Sequence, residues 1–261
     1  NASIERLGHD TLWVSLPTFR DNPGSPENQA LDATLAELKI QLGSGRSTRS
    51  IVLDVRGNGG GSDLWAHRLA EIVWGKQQTD AKAEYADYAL RVSAQAIMEY
   101  DEILAEDGPT MDADERLEYQ QTLKSLRDAK ASGKALVRFH SRPDPVEGQG
   151  AMKSAPPVYV LTDGTCFSAC LSAMDLWLAL GARHIGQETA ADTRYLEVRF
   201  APLPSGRGRL FSPTAILYRR RGDNVSFVPT HIYPDDMSDD MSVQKWTLDL
   251  IARLEAPAGG G

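Results

Sequence analysis

Two short runs of apolar and β-branched residues constrain this chain more than any other feature. Ile51-Val52-Leu53-Asp54-Val55 and Val158-Tyr159-Val160-Leu161 show no apolar–polar alternation, and each runs into a turn and then a helical pattern. A strand that is apolar on both faces has to be covered on both, which is the condition of a parallel strand in an α/β sheet. Helical periods flank both runs. Ser25 suits an N-cap, Pro26 the first helical position and Glu27 the positive end of the dipole. Leu31, Leu35, Leu38 and Leu42 follow at helical spacing, which predicts a helix over Pro26–Leu42. Leu64, Trp65, Leu69, Ile72 and Val73 mark a second helix, Phe167–Leu180 a third, and Val243, Trp246, Leu250 and Leu254 a closing one. Thr11–Leu16, the segment ending at His184-Ile185-Gly186, Tyr195–Phe200 and Ala215–Tyr218 read as further strands. Strand and helix in alternation predict an α/β fold with a largely parallel sheet.

Between the two halves the character changes. Thr79–Glu106 and Asp112–Ala131 read as two charged, Ala-rich helices separated by Gly108-Pro109, and Ser141–Ala155 as a loop. The predicted organisation is therefore a core in two parts, 1–75 and 156–255, interrupted by an inserted helical hairpin over 76–155 and followed by a frayed tail at 256–261. The insertion is expected to cover a site at the strand ends and limit access to it. A chain of 261 residues is long enough for one such core. Its formal charge of −8 argues against general nucleic-acid binding, which needs a cationic surface. No apolar run approaches the roughly 20 residues of a transmembrane helix. The chain opens on Asn1 with no signal-like segment after it, so an upstream processed piece or domain is expected. A homo-oligomer is the other partner allowed for.

Two turns carry candidate chemistry. Gly57-Asn58-Gly59-Gly60-Gly61 lies between a buried strand and a helix. A dinucleotide loop would need a third glycine where Ser62 stands. Two readings remain, a plain tight turn or a site of backbone donors. Adjacent glycines expose successive N–H groups, and a helix N-terminus favours negative charge, which is what a developing oxyanion needs. The second turn is Thr165-Cys166-Phe167-Ser168-Ala169-Cys170. A hydroxyl there is presented at the carboxyl edge of the sheet, with the Ala169 N–H near the same oxygen. The alternative is that Ser168 only caps the helix. Two cysteines are too few for a disulfide scaffold or a structural zinc site, and Cys166 and Cys170 are expected to be small buried side chains. No metal or cofactor is called for. Arg219-Arg220-Arg221 is a solvated charge run or a grip for a carboxylate.

Taken together, the two turns resemble a family. Ile51 to Gly61 looks like the signature of the S41 serine peptidases, the tail-specific or C-terminal processing proteases, in which an apolar strand runs into Asp-x-Arg-x-Asn-x-Gly-Gly. Val158 to Ala169 is similar to their nucleophile strand and turn, and Ile185-Gly186-Gln187-Glu188-Thr189 to the strand and Gly-x-x-Thr turn that follow. The resemblance covers Thr11–Trp74 and Val158–Leu254. It implies a ClpP/crotonase-like core, Ser168 as the nucleophile, and Gly59 or Gly60 with Ala169 as oxyanion donors. It also implies a peptide or protein substrate and an exported, periplasmic or extracellular location.

The sequence departs from the family in its base. One branch uses a lysine about 25 residues after the serine, since a desolvated amine can be neutral and accept the proton. Here that stretch is Thr189-Ala190-Ala191-Asp192-Thr193-Arg194, with no lysine between Lys153 and Lys245. Arg194 stays protonated and cannot replace it. The tricorn-like branch takes a histidine from an upstream segment. None of His9, His67, His140, His184 and His231 lies in a matching motif. Asp192, at the turn equivalent to the lysine's, is a candidate to orient a base or is a turn residue, and the family's downstream acid would fall near Asp223. The alternative function is a catalytically inactive S41-like domain that binds a peptide or an apolar ligand.

Overall fold

The computed structural model describes residues 1–8, 10–83, 87–109, 111, 113–140, 155–192, 194–218 and 224–256. In chain order its elements begin with β1 (Ser3–Leu7), β2 (Thr11–Ser15), α1 (Pro26–Gly43), β3 (Ser50–Asp54), α2 (Leu64–Trp74) and α3 (Lys76–Lys82). Next come β4 (Tyr88–Arg91), α4 (Ala94–Glu106), α5 (Ala113–Ala131), β5 (Leu136–Phe139), β6 (Val158–Thr162) and α6 (Ala169–Ala179). The last are β7 (Arg183–Gly186), β8 (Tyr195–Pro202), β9 (Arg209–Leu217), β10 (His231–Ile232) and α7 (Asp240–Leu254).

The chain divides into two compact units. The first comprises Asn1–Glu84, Asp144–Asp192 and Asn224–Gly261. It holds a six-stranded sheet in the order β1-β2-β3-β6-β7-β10, parallel throughout except for the edge pair β1–β2. Strands β3 and β6 are its centre, and every residue of both is buried. Alternate side chains feed two cores. Leu12, Val14, Ile51, Leu53, Val158 and Val160 pack under α1, α2 and α6, against Leu31, Leu38, Leu69, Met174 and Trp177. Trp13, Val52, Tyr159, Leu161 and Ile185 point the other way, against Val243, Leu250 and Ile251 of α7. The continuous apolar runs thus face a helical layer on each side, and the mixed α/β class with a mainly parallel sheet is as the sequence predicts. Helix α1 starts as read, with the Ser25 hydroxyl accepting from the Asn28 N–H.

The second unit comprises Tyr85–Pro143 and Thr193–Asp223. Its helices α4 and α5 correspond to the predicted hairpin, but strands accompany them in an antiparallel sheet of order β5-β4-β9-β8. The continuous helix expected over Thr79–Glu106 is interrupted. Tyr88–Arg91 pairs with both β5 and β9, and the chain re-enters a helix at Ser93, whose side chain accepts from the Ala96 N–H. Tertiary pairing overrides a weak helical stripe there. The unit boundaries also differ from the 76–155 reading. Helix α3 lies in the first unit, and β8 and β9 lie in the second. Most of the expected loop at 141–155 and of the tail at 256–261 lies outside the described residues. No helix among the described residues is long and apolar enough to cross a membrane.

Candidate active site

The site is built where β3 and β6 end side by side. The Val55 N–H donates to Leu161 O at 3.0 Å, so the turns that follow leave the sheet as neighbours. Two further bonds hold them together. The Gly57 N–H donates to Asp163 Oδ2 at 3.0 Å, and the Phe167 N–H donates to Asn58 O at 3.2 Å. Asp163 also orders its own turn, its Oδ1 accepting from the Thr165 N–H and hydroxyl.

Asn58 is fully buried and acts as the frame of the glycine loop. Its amide donates to Leu16 O at 2.7 Å, and its Oδ1 accepts from the Gly60 N–H at 2.9 Å. The loop then runs beside Phe19, which donates to Gly60 O and accepts from the Ser62 N–H. Gly60 has φ 99° and lies flush against the second turn. A Cβ there would stand 2.8 Å from Phe167 O and from Ser168 Cβ, and 3.0 Å from Ala169 N. Glycine is required at this position by both contact and conformation.

The Asp54 and Arg56 of the signature serve this frame. Asp54, buried, accepts from Trp13 Nε1 at 3.1 Å and takes Arg56 Nε and Nη2 in a bidentate pair at 2.9 and 2.7 Å. Arg56 Nη1 donates to Met237 O at 2.7 Å, and Nη2 reaches Asp240 at 3.0 Å. Burial opposes the guanidinium charge, but Asp54 and Asp240 outweigh it and hold its pKa above the ordinary value.

Ser168 occupies the residue before α6 with φ 56° and ψ −121° and makes no capping hydrogen bond. A non-glycine residue at positive φ with that ψ is in a sparsely populated region, held there by its surroundings. An N-cap normally has β-region angles and accepts from the second or third helical N–H. The capping alternative is therefore not the role Ser168 plays. Its side chain is half-buried, and no hydrogen bond reaches its hydroxyl among the described residues. The Ala169 and Gly59 N–H groups are likewise without intramolecular acceptors among the described residues, whereas the Gly60 N–H is taken by Asn58. Cys166 and Cys170 are fully buried and bonded to each other in a disulfide that brackets Ser168, with Cα atoms 5.3 Å apart. Sequence reading expected two independent small side chains here. The spacing across the serine was the available signal, but spacing fixes no pairing.

Asp192 is buried and forms an antiparallel bridge with Val225, its carbonyl accepting from the Asn224 N–H at 2.8 Å. No hydrogen bond joins it to Ser168. His184 lies in β7 with Nε2 2.7 Å from the Thr162 hydroxyl, and burial pushes its pKa down to about 4, against a weaker opposing bond to Val228. It is neutral at pH 7 but forms no bond to Ser168. His140 pairs with Asp87 in the second unit. His9, Arg219–Arg221 and Asp223 lie outside the described residues. No group of three or more metal-ligating side chains occurs among the described residues.

This arrangement can be set beside known proteins. The family model of peptidase family S41 matches residues 10–174. No curated protein matches the chain. Among solved structures, mature CPAF is 17% identical with a TM-score of 0.57, over 99% of this chain and 55% of that one. Mature CPAF complexed with lactacystin is 15% identical with a TM-score of 0.56, over 97% and 53%. A Bacteroides fragilis NCTC 9343 protein, described as a candidate S41 protease, is 17% identical with a TM-score of 0.50, over 97% and 57%. At these identities the likeness is one of fold, and the chain spans little more than half the length of each structure. The family match covers more than half of the chain, the glycine loop and the Ser168 turn included, and on it the chain belongs to peptidase family S41.

Proposed function

We propose that this protein is a serine peptidase that cleaves peptide or protein substrates through an acyl-enzyme on Ser168. The observation that carries the reading is the conformation of Ser168. Its hydroxyl stands at the strand-to-helix turn at positive φ, unspent on capping and half-exposed. Strain of this kind, held by a rigid scaffold, projects a nucleophile at the top of an α/β sheet. Attack by Oγ on the scissile carbonyl carbon sends the hydroxyl proton to a general base. The carbonyl oxygen becomes an oxyanion facing the N–H groups of Ala169 and Gly59. Collapse breaks the C–N bond, the amine leaves with the proton, and water then hydrolyses the ester. Of the two glycine donors considered, Gly59 is favoured because the Gly60 N–H is already bonded.

A lysine at the family's position is not the base in this reading, since none lies between Lys153 and Lys245, and a histidine outside the matching motifs is the alternative to it. Asp192 enters as a group that orients it, a positioning role. The disulfide supports an exported location, because such bonds persist in oxidising compartments. The second reading, an inactive S41-like domain that binds a peptide or apolar ligand, is favoured by the absence of any base bonded to Ser168 among the described residues. A fluorophosphonate probe separates the two. Labelling of Ser168 that is lost in Ser168→Ala, with circular dichroism unchanged, supports the peptidase. An unlabelled serine in the full-length protein overturns it.

A further inference from the structure

We propose that the Cys166–Cys170 disulfide is a positioning element for Ser168, so that the reactivity of the serine follows the redox state of these two cysteines. The inference rests on the peptidase reading and adds a control to it. Ser168 sits at φ 56°, a sparsely populated conformation that persists only where the surroundings impose it. Hydrogen bonds impose part of it. On the upstream side the Phe167 N–H is held by Asn58 O, and on the downstream side the Leu171 N–H donates to Ser168 O at 2.8 Å. A third, from the Cys170 N–H to Phe167 O at 3.1 Å, spans the serine. The disulfide spans it covalently, closing a ring over Phe167, Ser168 and Ala169 that fixes both ends of the strained residue. It also fixes the Ala169 N–H relative to the hydroxyl, the geometry an oxyanion donor needs.

Both sulfurs are fully buried, one behind the nucleophile turn and one in the first turn of α6. A reductant therefore reaches them only when the turn opens, and the oxidised protein is the resting form. Reduction by a dithiol breaks the Sγ–Sγ bond, leaves one thiol on each cysteine and releases the dithiol as its own disulfide. Two electrons and two protons pass. With the ring open, Ser168 can relax out of positive φ, and the oriented fraction falls.

The test compares three states of the full chain: oxidised, reduced by dithiothreitol in mild urea and then alkylated, and Cys166→Ala/Cys170→Ala. Maleimide mass analysis is expected to find no free thiol in the first and two in unalkylated reduced protein. Fluorophosphonate labelling of Ser168 is expected to slow about tenfold when the ring is open. Amide exchange over 166–171 should quicken, and reoxidation of unalkylated protein should restore both. Equal labelling and equal exchange in all three states, or free thiols in the oxidised protein, overturn the proposal while leaving the peptidase standing. If no state labels, the peptidase reading fails instead. Exchange then decides the clamp alone, quickened exchange supporting it and unchanged exchange refuting it. Reduced wild type keeps the test open should the double variant fail to fold.

Discussion

Gly60 and Gly59 are adjacent in sequence and opposite in what they tolerate. At Gly60 a methyl group would meet Phe167 O and Ser168 Cβ at 2.8 Å, and the backbone has φ 99°. At Gly59 a Cβ meets nothing within 4 Å, and the backbone is not at positive φ. Replacing Gly60 by alanine carries two costs. An L-residue forced to positive φ loses about 1–2 kcal/mol. Overpacking against backbone, which cannot swing aside as a side chain can, adds about 1–3 kcal/mol. We expect Gly60→Ala to lose about 3 kcal/mol, or to shed part of that by pushing the 167–169 turn outward. Gly59→Ala should change stability by less than about 0.5 kcal/mol. Urea unfolding followed by intrinsic fluorescence reads the first quantity. Scaled to a unit of this size, 3 kcal/mol is a fall in Tm of about 6–12 °C. The fluorophosphonate rate reads the second. Gly60→Ala should slow it even where the protein stays folded, whereas Gly59→Ala keeps its N–H and should not. Equal midpoints for the two variants, or a Gly60→Ala protein of full stability and full reactivity, would refute the close apposition of the two turns.

Other expectations follow from the same geometry. Ser168→Gly should raise stability by about 1 kcal/mol while abolishing labelling, because it relieves positive φ and forfeits no capping bond; a loss of stability in urea would show that the hydroxyl is structural after all. Asn58→Ala should cost about 2–4 kcal/mol, since it strands the buried Leu16 carbonyl and the Gly60 N–H, whereas an effect below 1 kcal/mol in the same assay would mean that the loop does not depend on that frame. His184 is held neutral in the folded protein, so the unfolded chain takes up the proton first as pH falls. Stability should be complete above pH 6.5 and decline toward about 4, by about 3 kcal/mol; His184→Gln should flatten that part of the urea-midpoint profile, and an unchanged profile would rule the residue out as the source.

Much of the core was legible because its signals were local and redundant. Ser25, Pro26 and the leucine spacing fixed α1 to within a residue of its end, and the unalternating runs announced β3 and β6 as central strands. What escaped was non-local or marginal. Strand β10 is two residues long, and β1 is an edge strand with a mixed burial pattern. Tyr88–Arg91 has residues that fit either period, and its pairing partners β5 and β9 lie far along the chain. At the candidate site, the position of Ser168 and of the glycine loop at two strand-to-helix turns could be read from order and spacing. Asp163, which ties the two turns together, looked like an ordinary turn residue after a strand. That the Gly60 N–H is occupied follows from the position of one side-chain oxygen, on Asn58, that no spacing specifies.

The Arg56 guanidinium reaches Met237, 181 residues further along the chain. That single reach gives the protein an order of assembly. A ribosome that has just released Ser168 has delivered both turns of the site, yet the arginine of the glycine loop still lacks its carbonyl acceptor and the second carboxylate. Only when α7 arrives does the loop acquire its last anchors, and the same helix covers the far side of β3 and β6. A chain cut short before Met237 would hold Ser168 on an unfinished frame. The turn that carries Ser168 is thus complete in sequence before the frame that supports it is.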